Sequence, residues 1–223
     1  MHREDYILRL IAEFVQALHR VAGLTREGQH RKALESIDDA TRRLVGAGLD
    51  GVLRLSEAEL LARLTFSEDE AAARDRCAFV AALLREAGAN CGALGAEDDA
   101  DAYFLAALRL QLAALERFGA AGMPEFAPEI GRLVAAVGLY RLPLDLYPQL
   151  VAHHERAGAF AAAEDALHAL LDAAPADRAA LALGAAFYER LLARADAELL
   201  AGDLSRTEVE EALAELRARQ GHL

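Results

Sequence analysis

The sequence predicts an all-α protein in which antiparallel helical hairpins stack as a short right-handed solenoid. Alanine, leucine, glutamate and arginine dominate the 223 residues, and β-branched residues are few, which favours helices over strands. Apolar residues recur at intervals of three and four, and glycine or proline stands at the ends of these segments. We expect about ten helices in one domain spanning residues 1–223, with roughly three-quarters of the residues helical and no sheet.

The segment Tyr147–Pro175 predicts one hairpin most clearly. Gly158 ends its first helix, because glycine adopts the left-handed conformation of a helix C-terminus at little cost. Phe160 begins the second helix, and Ala163 lies near the base of the hairpin, where a larger side chain would not fit. Pro175 ends the second helix because proline has no backbone N–H to donate.

Two other segments partly repeat this frame. Gly28, Gly95 and Gly158 are each followed five residues later by an alanine. The three glycines are 67 and 63 residues apart, each close to two periods of a repeat of about 34 residues. The frame resembles the tetratricopeptide repeat, and this resemblance implies a solenoid of helical hairpins.

Three positions depart from the pattern of that repeat. His30 and Glu97 stand where the repeat has an aromatic residue, and Leu170 stands where it has alanine. The segments that follow Gly28 and Gly95 also lack the closing proline. The alternative is an irregular all-α domain, in which the turns use glycine and the helix crossings use alanine.

Periodicity and capping residues predict five helices in the first half of the chain. Ser56 and Ser67 each begin a Ser-x-x-Glu capping box, which marks the start of a helix. Glycines at positions 46, 48 and 51 separate the second helix from the third. The predicted helices are Arg3–Val21 with a possible extension to Arg26, Gln29–Val45, Ser56–Leu64, Ser67–Leu94 and Glu97–Phe118.

The second half of the chain begins with a loop at residues 119–128, which carries two prolines. Pro148 lies either in the first turn of a helix that starts near Asp145 or at a kink. Asp177 and Ser205 are expected to cap the last two helices. The helices predicted around the hairpin are Glu129–Val137, Asp177–Leu200 and Arg206–Arg219.

Helix 1 carries an apolar stripe that another surface has to cover. Ile7, Ile11, Phe14 and Leu18 recur at steps of four, three and four residues, so they lie on one helix face. Either the following helices cover this face, or it forms the seam of a homodimer.

The charge of the chain narrows the class of partner. The net charge is −12, and the acidity lies after residue 45. Nucleic acid and anionic membranes are excluded as expected partners because phosphate binding requires a basic face. Four acidic residues surround one predicted inter-helix turn: Glu97, Asp98, Asp99 and Asp101. They predict a protein or peptide partner with a basic or amphipathic segment, whereas the alternative is that the charge only keeps the protein soluble.

Several features favour a cytoplasmic protein. Glu4 and Asp5 argue against a secretory signal, and no apolar run approaches the roughly 20 residues of a membrane span. Cys77 and Cys91 would lie about 21 Å apart on one helix, which is too far for a disulfide. We expect both to be buried as small apolar residues in a reducing compartment.

The sequence carries no motif that predicts catalysis or a cofactor. It contains no HExxH zinc motif, no glycine-rich phosphate loop and no nucleophile elbow. Either cysteine would need a positioned base to act as a nucleophile. A zinc site is the remaining alternative: His153 and His154 on one helix and His168 on the facing helix, with Glu155 or Glu164.

A narrower resemblance covers nearly the whole chain. It rests on three short segments, which are Asp5–Ile11, Ala163–Leu167 and Phe187–Leu192. These segments resemble a bacterial family of unknown function with tetratricopeptide-like helices, which implies the fold and a cytoplasmic setting but no catalytic residues. We therefore expect a non-catalytic scaffold or regulator that binds a protein or peptide. A homodimer built on helix 1 is the second hypothesis, and a metal protein or enzyme is the third.

Overall fold

The computed structural model describes residues 2–66 and 69–220, with side chains described from residue 12 onward. Helix accounts for 79% of the residues, and the described ranges contain no strand, as the sequence predicts. They form these α-helices: α1 (His2–Arg26), α2 (His30–Val45), α3 (Leu49–Val52), α4 (Glu57–Thr65), α5 (Glu70–Ala93), α6 (Glu97–Phe118), α7 (Ile130–Val137), α8 (Tyr147–Arg156), α9 (Phe160–Ala173), α10 (Arg178–Leu192), α11 (Asp196–Ala201) and α12 (Arg206–Gln220).

The chain divides into two compact units. Unit 1 is Met1–Val137 and contains α1 to α7, and unit 2 is Gly138–Leu223 and contains α8 to α12. The expectation that the whole chain forms one domain stays a prediction.

Helix α5 forms the centre of unit 1. Every residue from Cys77 to Leu84 is no more than 2% exposed, so this part of the helix is buried on all sides. Helices α1, α2, α4 and α6 pack around it. A helix that is apolar around its whole circumference is typical of the middle of a helical core, and its burial provides much of the hydrophobic stabilisation of the unit.

The three predicted glycine turns share one backbone geometry. Gly28, Gly95 and Gly158 have φ angles of 72°, 77° and 73°, in the left-handed region. In each turn the residue after the glycine donates its N–H to the carbonyl oxygen five residues earlier, at 2.8, 3.0 and 2.9 Å. Each glycine N–H also bonds to the carbonyl oxygen three residues earlier. This pair of bonds is the Schellman motif, and it turns the chain into the next helix two residues after the glycine.

The hairpin of α5 and α6 is antiparallel. A Cβ built on Gly92 would lie 3.8 Å from Ala100 Cβ, and one built on Gly88 would lie 3.0 Å from the Phe104 ring. Gly88 precedes Gly92 in α5, whereas its contact Phe104 follows Ala100 in α6. The two helices therefore run in opposite directions, and these contacts define their register. Glycine at these two positions lets α5 approach α6 closely, and the Phe104 ring fills the space that a side chain at Gly88 would occupy.

A buried amide ties the α1–α2 turn to α5. Asn90 is fully buried, and its Oδ1 accepts hydrogen bonds from Thr25 Oγ1 at 3.1 Å and from His30 Nδ1 at 2.9 Å. Its Nδ2 donates to the Glu86 carbonyl oxygen at 2.8 Å. Because Asn90 Oδ1 can only accept, Nδ1 of His30 carries the hydrogen. His30, which replaces the aromatic residue of the repeat pattern, is thus a hydrogen-bonding residue.

Replacement of this amide is expected to weaken unit 1. We expect Asn90→Leu to lower the free energy of unfolding by about 1–3 kcal/mol, because it removes the buried acceptor of His30 and Thr25. Urea denaturation followed by circular dichroism measures this change. Gln29→Ala removes only an exposed contact to Glu27 and should stay within about 0.5 kcal/mol of wild type. Equal stability of all three proteins would contradict the role of Asn90.

Helix starts were predicted well where a local cap defines them. At α4, Ser56 Oγ accepts from the Glu59 N–H while the Glu59 carboxylate accepts from the Ser56 N–H, which completes the predicted capping box. At α5 the cap is Asp69, whose Oδ1 accepts from the Ala72 N–H at 2.8 Å. The predicted cap Ser67 lies outside the described residues.

Unit 2 begins with two short 3₁₀ turns, Leu139–Arg141 and Leu144–Leu146, and then forms the predicted hairpin of α8 and α9. Pro148 lies in the first turn of α8, where its missing N–H leaves no hydrogen bond unmade. Ala163 is fully buried, as its predicted position at the base of the hairpin requires. The hydroxyl of buried Tyr147 donates to the Leu139 carbonyl oxygen at 2.9 Å and fixes the preceding turn.

The predicted helix Asp177–Leu200 is correct at its start, where Asp177 Oδ1 accepts from the Ala179 N–H at 2.8 Å, and wrong at its end, because the chain breaks after Leu192. Arg206 explains this break: its guanidinium donates to the Leu192 carbonyl oxygen at 2.9 Å and to the Arg194 carbonyl oxygen at 2.7 Å. It also forms an ion pair with Asp196 at the start of α11. These bonds satisfy carbonyl groups that the end of α10 leaves free. The contact spans more than ten residues, so local sequence patterns do not reveal it.

Candidate functional site

A groove on unit 1 collects carboxylates from three helices. It has a volume of about 490 Å³. We call it the acidic groove, and its lining residues are Arg31, Leu34, Glu35, Asp38, Leu49, Asp50, Leu53, Cys91, Asp99 and Tyr103. Helices α2, α3 and α6 contribute the four carboxylates, while Arg31 is the cationic residue of this lining.

Asp38 has a structural role in the acidic groove. Its Oδ2 accepts from Arg42 Nε at 2.7 Å, and its Oδ1 accepts from the Leu49 N–H at 2.7 Å. The Arg42 hydrogen bond holds the pKa of Asp38 below its usual value, and the Leu49 N–H lowers it further against the opposing effect of burial. A Cβ built on Gly48 would lie 2.3 Å from Asp38 Oδ1. Glycine at position 48 therefore permits Asp38 to tie α3 to α2.

The other three carboxylates of the groove are not neutralised. Within the part of the chain that the structure describes, Glu35, Asp50 and Asp99 form no salt bridge. Arg42 neutralises Asp38. The groove lining then has three negative charges and one positive charge, that of Arg31. The groove therefore carries a net negative charge and attracts cations.

Tyr103 contributes a hydroxyl group to the lining of the acidic groove. The residue as a whole is only 6% exposed, but its hydroxyl oxygen reaches the open space of the groove. No described residue forms a hydrogen bond with that hydroxyl. Burial raises the pKa of Tyr103 to about 12, together with the nearby carboxylates of Asp50, Asp99 and Asp38 and the Cys91 sulfur. The hydroxyl is therefore neutral at physiological pH and remains available to a ligand as donor or acceptor.

A second groove adjoins the first along α6. It has a volume of about 390 Å³. We call it the apolar groove, and its lining residues are Val52, Leu53, Leu55, Ser56, Glu57, Leu60, Ala102, Leu105, Ala106, Arg109 and Leu110. Eight of these eleven residues are apolar. Leu53 lines both grooves, so the charged surface continues directly into an apolar one.

The structure assigns different positions to the four acidic residues of the predicted turn. Asp99 lines the acidic groove, while Glu97 and Asp98 are exposed in the first turn of α6 outside its lining. Asp101 is half-buried and also lies outside that lining. Of these four acidic residues, Asp99 alone lines the acidic groove. The sequence did not indicate Glu35, Asp50 or Tyr103, since the glycines before α3 gave the only signal that the chain turns back there.

The predicted dimer stripe of helix 1 lies partly in the core. Phe14 is 4% exposed, and its ring stacks on Phe79 of α5 with centroids 4.0 Å apart. Leu18 is half-buried and lines a small groove against α5 and α7. Phe14 is therefore a core residue of unit 1. The homodimer hypothesis rests on Ile7 and Ile11, whose side chains lie outside the described residues.

The described histidines of unit 2 do not form the zinc site that the sequence left open as an alternative. No group of three His, Cys, Asp or Glu side chains within the described ranges has the geometry to hold a metal ion. His153 and His154 contact each other, with ring centroids 5.1 Å apart. Burial, together with the neighbouring charges of His154 and Arg156, lowers the pKa of His153 to about 4. His168 instead lies 3.4 Å from the hydroxyl of buried Tyr188, which donates to Glu164 Oε1 at 2.7 Å.

Both cysteines are free thiols within α5. Burial raises the pKa of Cys77 to about 12, and burial also raises the pKa of Cys91. A raised pKa keeps a thiol protonated, which is the opposite of what a nucleophile needs. Neither cysteine therefore has the environment of a reactive thiol.

Residues 1–221 match DUF6483, a family of unknown function. No curated protein and no solved structure matches the chain. None of the helices in the described ranges has the length and apolar character that crossing a bilayer requires.

Proposed function

As the chain belongs to this family of unknown function, we propose its role from the grooves of unit 1. The protein is a non-catalytic interaction module that binds a basic, amphipathic segment of another protein. The observation that carries this proposal is the combination, in one groove, of three carboxylates without ion-pair partners and the hydroxyl of Tyr103, which no described residue hydrogen-bonds. Such groups are stabilised by a cationic ligand that supplies N–H donors.

The charge of the chain and the neighbouring groove support the amphipathic character of the partner. The net charge of −12 attracts basic segments and repels nucleic acid and anionic membranes. The apolar groove offers leucine and alanine surface directly beside the carboxylates. An amphipathic segment would bury its apolar side chains there while its basic side chains enter the acidic groove.

We also propose that the hairpins follow tetratricopeptide-like geometry, in a short right-handed solenoid. The three Schellman turns at Gly28, Gly95 and Gly158 support this architecture because they repeat the same backbone geometry. The alanine five residues after each glycine is buried, as close helix crossing requires. Solenoids of this kind bind extended or helical segments of other proteins along their inner helices. The cytoplasm is the proposed setting, and the two free thiols fit its reducing conditions.

A selection experiment tests the proposed function. Random peptides displayed on phage are selected against the whole protein, and a peptide from the enriched pool is synthesised with a fluorescent label. We expect the pool to be enriched in basic residues interspersed with apolar ones. Anisotropy titration should give a weaker affinity at about 0.5 M than at about 0.05 M salt, because salt screens the attraction.

Two charge-matched double variants locate the binding site. Asp50→Asn with Asp99→Asn removes two carboxylates from the acidic groove and should weaken binding by about tenfold or more. Glu97→Gln with Asp98→Asn removes the same charge from exposed positions outside the groove and should change affinity by less than about twofold. Equal losses in both variants would assign the attraction to net charge alone. A pool without basic residues would refute the proposed function.

A further inference from the structure

The acidic groove presents its acceptors in an arrangement that suits one type of cation. Glu35 extends from α2, Asp50 from α3 and Asp99 from α6, so the carboxylates belong to three different elements. The hydroxyl of Tyr103 adds a fourth polar group to the same wall. A cation that meets all of them needs several N–H donors that point in different directions.

The side chains of arginine and lysine differ in the number and direction of their N–H donors. Guanidinium is planar, carries five N–H donors and is weakly hydrated, whereas ammonium is a compact point charge with three donors and a strong hydration shell. Carboxylates on separate walls can each receive an N–H from one guanidinium group. Lysine would satisfy fewer of them and would lose more hydration on entering beside a buried tyrosine.

Where the two grooves meet, the apolar surface lies next to the position that we expect the ligand's cation to occupy. Along α6, Asp99 and Tyr103 line the acidic groove, and the small residues Ala102 and Ala106 line the apolar groove. The residues of the two sets are neighbours on the helix surface, one to two turns apart. A partner helix that runs along α6 would place an apolar side chain at a matching distance from its cation, on the same face.

We infer that the two grooves form one receptor for an amphipathic helix of a partner protein, which inserts an arginine between Asp50, Asp99 and Tyr103 and an aliphatic side chain against Ala106. This inference rests on the proposed function and adds the identity of the cation and the conformation of the partner. Arg31 at the edge of the groove carries a charge of the same sign as the ligand. The three carboxylates exceed that single positive charge, so the attraction remains.

The test uses a defined probe. It is an alanine-based helical peptide of about 16 residues, capped at both ends, with one arginine and with leucines one and two helical turns beyond it. Three further peptides carry lysine or citrulline in place of the arginine, or alanine in place of the leucines. Calorimetric titration into the full chain should give an affinity at least about fivefold weaker for lysine than for arginine, and weaker still for neutral citrulline. Loss of the leucines should weaken binding by a similar factor.

Two protein variants separate binding from folding. Because the Tyr103 hydroxyl has no partner in the described chain, Tyr103→Phe should leave the thermal unfolding midpoint unchanged or raised. It should bring the arginine and lysine affinities to within about twofold of each other. Tyr140→Phe, at an exposed tyrosine of unit 2, should leave the arginine preference unchanged. Ala106→Glu should abolish the benefit of the leucines by placing a charge in the apolar groove.

The outcomes distinguish the inference from the proposed function on which it rests. Equal binding of the arginine and lysine probes, together with loss of both in the Asp50 and Asp99 double variant, would overturn arginine recognition and leave the proposed function standing. Binding that is insensitive to the leucines and to Ala106→Glu would overturn the apolar contact. Absence of binding by this probe and by every selected basic peptide would overturn both proposals.

Discussion

Phe14→Ala is expected to lower the free energy of unfolding by about 3–5 kcal/mol. The ring is 4% exposed and lies parallel to the Phe79 ring, with an interplanar angle of 7° and a centroid distance of 4.0 Å. Its removal leaves a cavity between α1 and α5 and exposes the Phe79 face, so transfer and cavity terms add. The midpoint of urea denaturation, followed by circular dichroism, measures the loss.

The same variant tests the core position of Phe14, while the homodimer hypothesis for Ile7 and Ile11 stays a prediction. Because Phe14 is a core residue, Phe14→Ala should lower stability while light scattering gives the same molar mass as wild type. A seam residue would behave in the opposite way, with a lower molar mass and little change in the unfolding of the separated chain. Gln16→Ala is the matched control, because this side chain is exposed on the same helix and should change stability by less than about 0.5 kcal/mol.

Gly202→Ala is expected to destabilise unit 2 by about 3 kcal/mol. A Cβ at this position would lie 2.4 Å from Phe160 Cδ2 and 2.6 Å from the Gly158 carbonyl oxygen. The carbonyl belongs to the backbone of the α8–α9 turn and cannot rotate away. Gly202 also accepts a hydrogen bond from the Ala161 N–H at 2.9 Å, so displacement of residue 202 breaks a second contact to the start of α9.

Gly131→Ala provides the contrast for that substitution. Gly131 lies within α7, and a Cβ there would have no atom within 4 Å. Alanine should therefore stabilise the protein by about 0.5–1 kcal/mol, through its higher helix propensity. Thermal unfolding of both variants tests the pair. A Gly202→Ala protein as stable as wild type would mean that the end of α11 does not pack on the hairpin turn.

The parts of the fold that the sequence predicted are those that neighbouring residues determine. Gly28, Gly95 and Gly158 set their turns through backbone conformation alone, and Ser56 begins α4 through a bond to a residue three positions away. Such features can be recognised within a short window of sequence. The break after Leu192 could not, since Arg206 stabilises it from another helix.

The candidate site was predicted only in part, for the same reason. Acidic residues near Gly95 identified Asp99, but the groove exists because Asp50 and Glu35 come from helices far away in the sequence. Tyr103 has the spacing of an ordinary buried residue of α6. Its significance comes from a hydroxyl without a partner, which depends on the surrounding structure. For Phe14 the sequence predicted the apolar helix face correctly. It did not decide whether another helix of the chain or a second copy covers that face.

The hydrogen bond between Asp38 and Leu49 helps to set the shape of the acidic groove. Helix α3 has four residues, too few to be stable in isolation, so its closed position depends on contacts such as the Leu49 N–H bond to Asp38. Opening of this segment would carry Asp50 away from Asp99, and the groove would lose a wall. A cation held by both carboxylates favours the closed form, and by thermodynamic reciprocity the closed form favours the cation by the same factor. If the groove binds a cation as we propose, its affinity will depend in part on the strength of a hydrogen bond between two groups of the protein itself.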